Sequence, residues 1–385
     1  MSSRLLTRPF VFAFSSMLLM GITFALFIHY AGFLSRLGAD EVTIGLIVGT
    51  GSIGSLVVRP YVGRLMDRLG RRPLIHAGNL INVVSLGLLT TVTSLSWWIY
   101  ALTIAHGIAE AILFTALTTY GADIVPADRR TEGLALFGVS GQLPIALGGL
   151  LGDLLLRDND YRTLFWVAAG IGGFALLAAL PLPETRRSDM DPARGFFFAI
   201  TQQGMSPLWL LSAAFALALV SYFTFLKTFV ESTGVGSVGT FFAVYSVTAI
   251  LLRVVGNRVP GRFGEQRVLV ISLLSLAGGT FLLASAQTAT AVTVAGIACG
   301  AGHGYAFPIL YSLVVTRSSD ADRGAALSGF LSFFPLAGLL GAPALGWTIR
   351  HFGYPTMYTA VGVVTVAVVA IYVVRERQVH RVAVA

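Results

Sequence analysis

Two ionisable residues, His106 and Glu110, interrupt an otherwise apolar run between residues 97 and 119. They are four positions apart, so a helix would place them on one face. An ionisable side chain inside a membrane span costs about 2.5 to 3.5 kcal/mol on insertion scales, and those that remain are functional candidates. Burial disfavours a charged carboxylate, and histidine titrates near neutrality. The pair is therefore predicted to bind and release a proton. An internal pair that only fixes helix packing is the alternative.

Other polar and aromatic side chains in apolar segments are candidates for contacts with a small molecule. His303 lies among small residues, Gly300 to Gly304, and a hydrogen bond to a neighbouring helix would explain it equally well. Aromatic residues outnumber fixed charges in these segments, which favours a hydrophobic or amphiphilic ligand, and no intramembrane arginine pair is expected to hold a phosphate. The candidates for ligand contact are His303, Gln142, Asn82, Tyr222, Tyr245, Tyr305 and Phe27.

The composition places these residues in a membrane protein. Of the 385 residues, 55% are hydrophobic and only 11% are charged, with a mean hydropathy of +0.79, whereas a soluble chain carries about 25% charged residues. Apolar runs of about 20 residues, enough to cross a bilayer, recur along the chain. They predict an all-α membrane protein with twelve transmembrane helices, at residues 10–31, 41–60, 73–93, 97–119, 132–154, 163–180, 207–229, 238–257, 268–286, 290–313, 325–347 and 356–374.

The basic residues set the expected orientation. With the first span entering from the cytoplasm, 21 of the 26 Lys and Arg fall on the cytoplasmic side, Arg59 and Arg253 among them. Such a bias predicts that both termini are cytoplasmic in a multi-pass protein of the inner membrane. Lys227 with Glu231 is expected to form an interfacial ion pair. His29 and Asp153 are expected to reach the membrane surface.

The chain is predicted to contain two similar halves. The longest polar connector lies near its middle, and a shift of 194 positions aligns Arg64 with Arg258 and Gly70 with Gly264. We expect an N-terminal six-helix half (1–180), a cytoplasmic central loop (181–206) and a C-terminal six-helix half (207–385). Parallel repeats of this kind hold a substrate between the halves, near the bilayer midplane.

A short loop carries a family resemblance. Residues 63–73, GRLMDRLGRRP, resemble the G-x-x-x-D-R-x-G-R-R loop of the major facilitator superfamily and occur at the same place in the topology. The resemblance implies the twelve-span major facilitator fold and transport by alternating access. It also implies that Asp67 docks near Gly324 and Ala325 and holds the cytoplasmic gate closed. In the second copy Gly261 replaces the aspartate, so this latch is expected mainly in the first half. The gate loop comprises Gly63, Asp67, Arg68, Gly70, Arg71 and Arg72. In this loop Gly63 is expected to let helices approach closely and Gly70 to permit a tight reversal with positive φ.

Two further motifs match the family only in part. Where many members carry R-x-x-Q-G, this chain has Thr103-Ile104-Ala105-His106-Gly107, so a proton mechanism based on that arginine does not transfer. Residues 138–149, GVSGQLPIALGG, are similar to an antiporter motif, with one extra residue between the proline and the glycine pair. This similarity favours export.

The leading hypothesis is a proton-coupled antiporter that exports small hydrophobic or amphiphilic molecules, with His106 and Glu110 carrying the proton. The alternatives are an importer or facilitator of a metabolite such as a sugar or organic acid, and a non-transporting sensor on the same fold. An enzyme is not expected, because the chain has no HExxH, GxSxG or P-loop motif. Cys299 is the single cysteine, and no metal or cofactor is predicted. The expected partners are a small-molecule substrate, protons and the lipid bilayer, with no nucleic acid, and the chain is expected to be a monomer.

Overall fold

The computed structural model describes residues 5–158, 160–185, 204–318 and 323–384, and the regular elements in these ranges are helices. Most of the predicted central loop, residues 186–203, lies outside them. In chain order the helices are α1 (Arg8–Leu26), α2 (Tyr30–Arg36), α3 (Glu41–Leu69), α4 (Arg71–Leu89), α5 (Trp97–Ile124), α6 (Arg130–Leu155), α7 (Tyr161–Ala179), α8 (Ser206–Thr233), α9 (Val238–Val254), α10 (Val259–Phe263), α11 (Glu265–Ala284), α12 (Ala289–Arg317), α13 (Arg323–Leu336) and α14 (Ala342–Val384).

Three short departures from α-helical geometry bend these elements. A 3-10 turn, Phe27–His29, joins α1 to α2. A five-residue π-helix, Ala337–Gly341, joins α13 to α14. Gly353 has a φ of 81° inside α14, a conformation that favours glycine, and divides that element into two helices.

The apolar lengths agree with a multi-pass membrane protein. Within the described ranges, nine helical runs are long and apolar enough to cross a membrane. One of these, Ala325–Arg375, holds the last two predicted segments on either side of Gly353, while α9 is apolar but has only 17 residues. Each predicted segment overlaps a helix, but α4 is not among the nine, and the count of twelve spans stays a prediction.

Local sequence explains where several helices begin. Asp40 accepts a hydrogen bond from the Thr43 N–H at 2.8 Å and so caps α3. Ser237 caps α9 and Thr288 caps α12 in the same way. Gly70, with a φ of 93°, both ends α3 and begins α4, which makes the tight reversal expected of this glycine.

The helices before residue 180 and those after residue 206 pack in matching pairs. In the first group α5 packs on α3 and α4, and α7 packs on α1 and α4. In the second group α12 packs on α9 and α11, and the part of α14 after Gly353 packs on α8 and α11. The groups meet where α6 contacts α9 and where α3 contacts α13 and α14. We call these the first and second helix groups.

Small residues allow the two groups to approach closely. A Cβ atom added to Gly45 of α3 would lie 2.7 Å from the Ala342 carbonyl carbon and 2.9 Å from the Pro343 Cα. A Cβ on Gly149 of α6 would lie 3.4 Å from the Gly239 Cα of α9. The two contacts between the groups therefore bring backbone against backbone, and a side chain at Gly45 could be accommodated only by moving a helix.

We therefore expect Gly45→Val to destabilise the folded protein by about 1–3 kcal/mol, the usual cost of overpacking. The measurement is thermal unfolding of the purified protein in detergent. Gly170→Val is the matched control, because Gly170 is an exposed helical glycine whose added Cβ would meet nothing within 4 Å. Equal unfolding midpoints for the two variants would contradict the close packing of α3 on α14.

Candidate functional site

His106 is buried between two phenylalanine rings of the first helix group. Its ring centroid lies 3.8 Å from that of Phe27, with an interplanar angle of 13°, and 4.4 Å from that of Phe24. Neither His106 ring nitrogen has a hydrogen-bond partner among the described residues. The structure thus brings two predicted site residues, Phe27 and His106, together, and no hydrogen bond joins His106 to Glu110.

Glu110 lies halfway along α5, about 20 Å from each helix end. Its side chain is exposed, although α5 packs against α1, α3 and α4. It interacts electrostatically with Arg59 of α3, without a direct ion pair. His106, one turn away, lies against α1. Glu110 is therefore on the part of α5 between α1 and α3, directed into the bundle.

Two arginines that the sequence analysis counted on the cytoplasmic side lie within helices. Arg59 is about 15 Å from the Leu69 end of α3. Arg253 is in the last turn of α9, and its side chain reaches the middle of α12, where Nε donates to the Gly304 carbonyl at 3.1 Å and Nη2 to the His303 carbonyl at 3.5 Å. Arg59 and Arg253 belong to different helix groups, so the expectation that no intramembrane arginine pair holds a phosphate stays a prediction. The shift of 194 positions also aligns Arg59 with Arg253, a signal that could have identified them.

His303 is the centre of an aromatic cluster in the second helix group. Its Nδ1 is hydrogen-bonded to the Tyr245 hydroxyl, and the Tyr222 hydroxyl lies 3.5 Å from that of Tyr245. Phe215 and Phe307 flank the imidazole, with centroid distances of 5.4 and 6.0 Å. Three predicted ligand contacts, His303, Tyr222 and Tyr245, are therefore adjacent.

The other predicted contact residues connect helices. Asn82 donates a hydrogen bond to the Thr23 hydroxyl at 2.9 Å, and the Tyr305 hydroxyl donates to the Gly256 carbonyl at 2.8 Å. The backbone carbonyl of Gln142 accepts a hydrogen bond from Ser246 at 2.6 Å, which links α6 to α9. Among the described residues no group bonds to the buried Gln142 Nε2. Gln142 therefore keeps an unused donor and Asn82 an unused acceptor, its Oδ1, whereas the Tyr305 hydroxyl is used in packing.

A carboxylate that the sequence analysis missed stabilises the gate loop. Glu184 accepts hydrogen bonds from the backbone N–H groups of Arg71, at 2.8 Å, and Arg72, at 3.2 Å, and so caps α4. Arg71 is buried and its Nε donates to Asp123 at 3.1 Å, while Arg72 donates to the Leu180 carbonyl at 3.0 Å. An acidic residue just after α7, on the same side as Gly70 in the predicted topology, was the available signal.

Asp67 and Gly63 are both exposed to a degree that their predicted roles in docking and helix packing did not suggest. The Asp67 carboxylate is 47% exposed, and its Oδ1 lies 3.9 Å from Arg71 Nη1. Its predicted partner Gly324 is described only by its backbone, and residues 319–322 lie outside the described ranges, so the predicted docking stays a prediction. A Cβ on Gly63 would meet nothing within 4 Å, so the close helix contact expected there does not occur in this structure.

At the opposite end of the bundle, Asp153 of α6 binds the beginning of α9. Its Oδ2 accepts hydrogen bonds from the Ser237 hydroxyl at 2.6 Å and from the Gly239 N–H at 2.7 Å. His29 is fully buried beside it, with Nε2 3.2 Å from the Gly149 carbonyl oxygen and Nδ1 3.9 Å from Asp153 Oδ1. The surface position expected for His29 was therefore wrong. Asp153 was expected only to reach the surface, but it also connects the two helix groups.

Two more carboxylates connect the groups at this end. Asp40 forms an ion pair with Arg350 of α14, and the hydrogen bonds from Thr43 are the main reason that the pKa of Asp40 is lowered. Glu231 of α8 accepts a hydrogen bond from the Tyr161 hydroxyl of α7 at 3.3 Å and forms the expected ion pair with Lys227 at 3.2 Å. We call this end of the bundle the Asp40 end. The two helix groups are in direct contact there. Towards the Gly70 end, a Cβ on Gly138 of α6 would meet nothing within 4 Å.

Comparison with known proteins places this architecture in a family. The sequence profile of the Major Facilitator Superfamily matches residues 10–259 and, in a second match, residues 208–384. The chain belongs to the Major Facilitator Superfamily. The resemblance carried by the gate loop is therefore confirmed, and the chain is a multi-pass membrane protein of a transporter family.

Individual relatives in the superfamily are distant in sequence but similar over nearly the whole chain. An uncharacterized MFS-type transporter of Escherichia coli K12, YhhS, is 23% identical over 378 residues, which cover 95% of this chain and 91% of YhhS. The nucleoside transporter NupG has a TM-score of 0.79 at 14% identity over 97% of this chain and 99% of its own. The human organic anion transporter MFSD10 has a TM-score of 0.69 at 19% identity over 95% and 99%. At these identities the solved structures show a shared fold.

The two unpaired nitrogens of His106 lead to a stability prediction. Replacing a buried polar group that lacks a partner by an apolar one is neutral or stabilising, whereas removing a bonded group is not. We expect His106→Leu to unfold at the wild-type temperature or above it. Asn82→Leu, which loses the bond to Thr23, should lower the free energy of unfolding by about 1–3 kcal/mol. Both are measured by thermal unfolding in detergent, and a strongly destabilised His106→Leu would show that the imidazole has a partner.

Proposed function

We propose that this member of the superfamily is a proton-coupled secondary transporter of the efflux type, an antiporter that exports small hydrophobic or amphiphilic organic molecules. The observation that carries the proposal is Glu110, a carboxylate halfway along α5 that is accessible inside the bundle. Arg59 is near enough to interact with it but does not neutralise it in a direct ion pair. A carboxylate in this position can take up and release a proton as its surroundings change.

His106 and Glu110 have different parts in the proposed proton site. Glu110 is exposed, so it can exchange protons with water. His106 is enclosed between Phe24 and Phe27, so it can accept a proton only when α1 moves relative to α5. Alternating access would supply such a movement. His106 would then be protonated in only part of the transport cycle.

The distribution of contacts supports alternating access. The two helix groups are joined at the Asp40 end by Asp153, Asp40 and Glu231. With the Gly70 end on the cytoplasmic side, these contacts would close the opposite side of the bundle. In the opposite conformation Asp67 would dock on the start of α13, with Arg68, Arg71 and Arg72 holding the gate loop at the membrane surface.

The chain is a helical multi-pass membrane protein, and we propose the following number of spans and orientation for it. Twelve spans form two six-helix halves, 1–180 and 207–385, joined by a cytoplasmic loop, 181–206, with both termini in the cytoplasm and the protein a monomer in the inner membrane. The matching helix pairs of the two groups support the repeats. The substrate would contact the aromatic cluster at His303, Tyr222 and Tyr245, the Gln142 amide, and Phe27.

Import of an organic acid is the second candidate function. Arg253 favours it, because a cation near the middle of α12 suits an anionic group. The two candidates differ in the sign of coupling. Antiport moves the substrate and the proton in opposite directions, whereas symport moves them together.

The test uses proteoliposomes with an acidic lumen and a trapped pH-sensitive dye, to which lipophilic cations, dyes, sugars or organic acids are added outside. Antiport predicts that substrate entry makes the lumen more alkaline, and that Glu110→Gln abolishes this signal. Glu132→Gln is the matched control, because Glu132 is an exposed carboxylate paired with Arg129 at the Gly70 end.

Acidification of the lumen would establish symport in place of antiport. Uptake without proton movement, or normal coupling in Glu110→Gln, would contradict the proposed proton site. Folding of each variant is verified by its thermal unfolding midpoint.

A further inference from the structure

Arg253 is a cation in the interior of the second helix group without a counter-charge among the residues that the structure describes. Its hydrogen bonds go to two backbone carbonyls of α12, those of His303 and Gly304. The titratable groups that interact with it are Tyr245 and His303, and neither side chain can supply a negative charge at neutral pH. Carbonyl dipoles therefore compensate the guanidinium only in part.

In the first helix group, the equivalent arginine has a carboxylate of the same group nearby. A shift of 194 positions aligns Arg59 with Arg253 and Glu110 with Gly304. Arg59 therefore has a carboxylate nearby on α5, whereas the equivalent position on α12 has no side chain. A Cβ on Gly304 would lie 3.2 Å from the Ala249 Cα of α9, so this glycine lets α9 approach until Arg253 reaches the α12 backbone. The second group keeps the cation and lacks the anion.

The surroundings of Arg253 are aromatic. Its guanidinium carbon lies 5.9 Å from the centre of the Phe307 ring, and Phe307 is also next to His303 and Phe334. The Arg253 side chain is only partly buried, so part of it remains accessible. An arginine fork beside aromatic rings can bind a carboxylate through paired N–H donors while the rings contact an apolar body.

We propose that Arg253 is the binding site for the carboxylate of an amphiphilic organic anion, whose apolar part contacts the aromatic cluster around His303. The ligand supplies to Arg253 the negative charge that Glu110 supplies to Arg59. This inference rests on the proposed transport function and narrows its substrate class to anions. It assigns substrate recognition to the second helix group and the proton to the first.

The experiment measures binding of three probes with one ring system and different charge to the purified full-length protein. The probes are 1-naphthaleneacetate, its uncharged amide and 1-naphthylmethylammonium, each measured by isothermal titration calorimetry in detergent. We expect the acetate to bind about tenfold or more tightly than the amide, since a charge-assisted hydrogen bond exceeds a neutral one by about that factor. The ammonium probe should bind least tightly.

Arg253→Gln should remove the preference for the acetate over the amide and leave the affinity for the amide unchanged. Arg253→Lys should reduce the preference without abolishing it, because lysine keeps the charge and loses the fork. Arg267→Gln is the matched control, since it removes an exposed arginine from the same helix group and should retain the full preference. The unfolding midpoint of each variant reports whether loss of the α12 bonds affects folding.

Equal binding of acetate and amide to the wild type, no binding of the acetate, or a preference retained by folded Arg253→Gln would overturn the proposal. Glu110→Gln separates this inference from the proposed function, because it should lose proton coupling and retain the preference for the acetate. Proton-coupled transport of the ammonium probe, unaffected by Arg253→Gln, would leave the proton site intact and refute the anion site alone.

Discussion

A charge inside a membrane-spanning bundle has to be compensated by another charge, by dipoles or by water, because the surrounding lipid can do none of this. The structure meets this requirement differently along its length. At the Asp40 end, Asp153 is compensated by the Gly239 N–H and the Ser237 hydroxyl at the start of α9. At the centre, Glu110 is compensated only by Arg59, without a direct ion pair, and Arg253 only by carbonyls. The fully compensated groups hold helices together, and the incompletely compensated ones are the sites where a proton or a ligand would complete the balance.

The close helix contacts make this arrangement switchable. Gly45 and Gly149 bring backbones together where the two helix groups meet, so the groups are joined by small, separable surfaces near the Asp40 end. The links there are carboxylates that bind helix starts or single side chains. In the proposed transport cycle, breaking them would expose polar groups to water at the membrane surface and would not leave them in lipid. Opening at the Asp40 end would then expose no uncompensated charge to the bilayer.

The sequence predicted the helical membrane fold and the superfamily, because apolar segment length and the gate loop are local signals that need no tertiary information. It also placed Glu110, His106 and His303 on helices of the bundle, and the functions predicted for them stay predictions. It counted Arg59 and Arg253 with the cytoplasmic residues, because the sequence does not show how far neighbouring helices extend past an arginine at the end of an apolar run. The α9 contact of Asp153 depends on helices distant in sequence, so no local pattern could show it, and Glu184 could be found only by combining its position after α7 with the predicted topology.

The central claim is that Glu110 changes its protonation state inside the folded protein. The most direct measurement is infrared difference spectroscopy of the membrane-reconstituted protein during a pH titration, which detects the C=O stretch of a protonated carboxyl group. The account predicts a pH-dependent carboxyl band that disappears in Glu110→Gln and persists in Glu132→Gln. An identical difference spectrum for the wild type and Glu110→Gln would contradict it, because Glu110 would then hold one protonation state throughout.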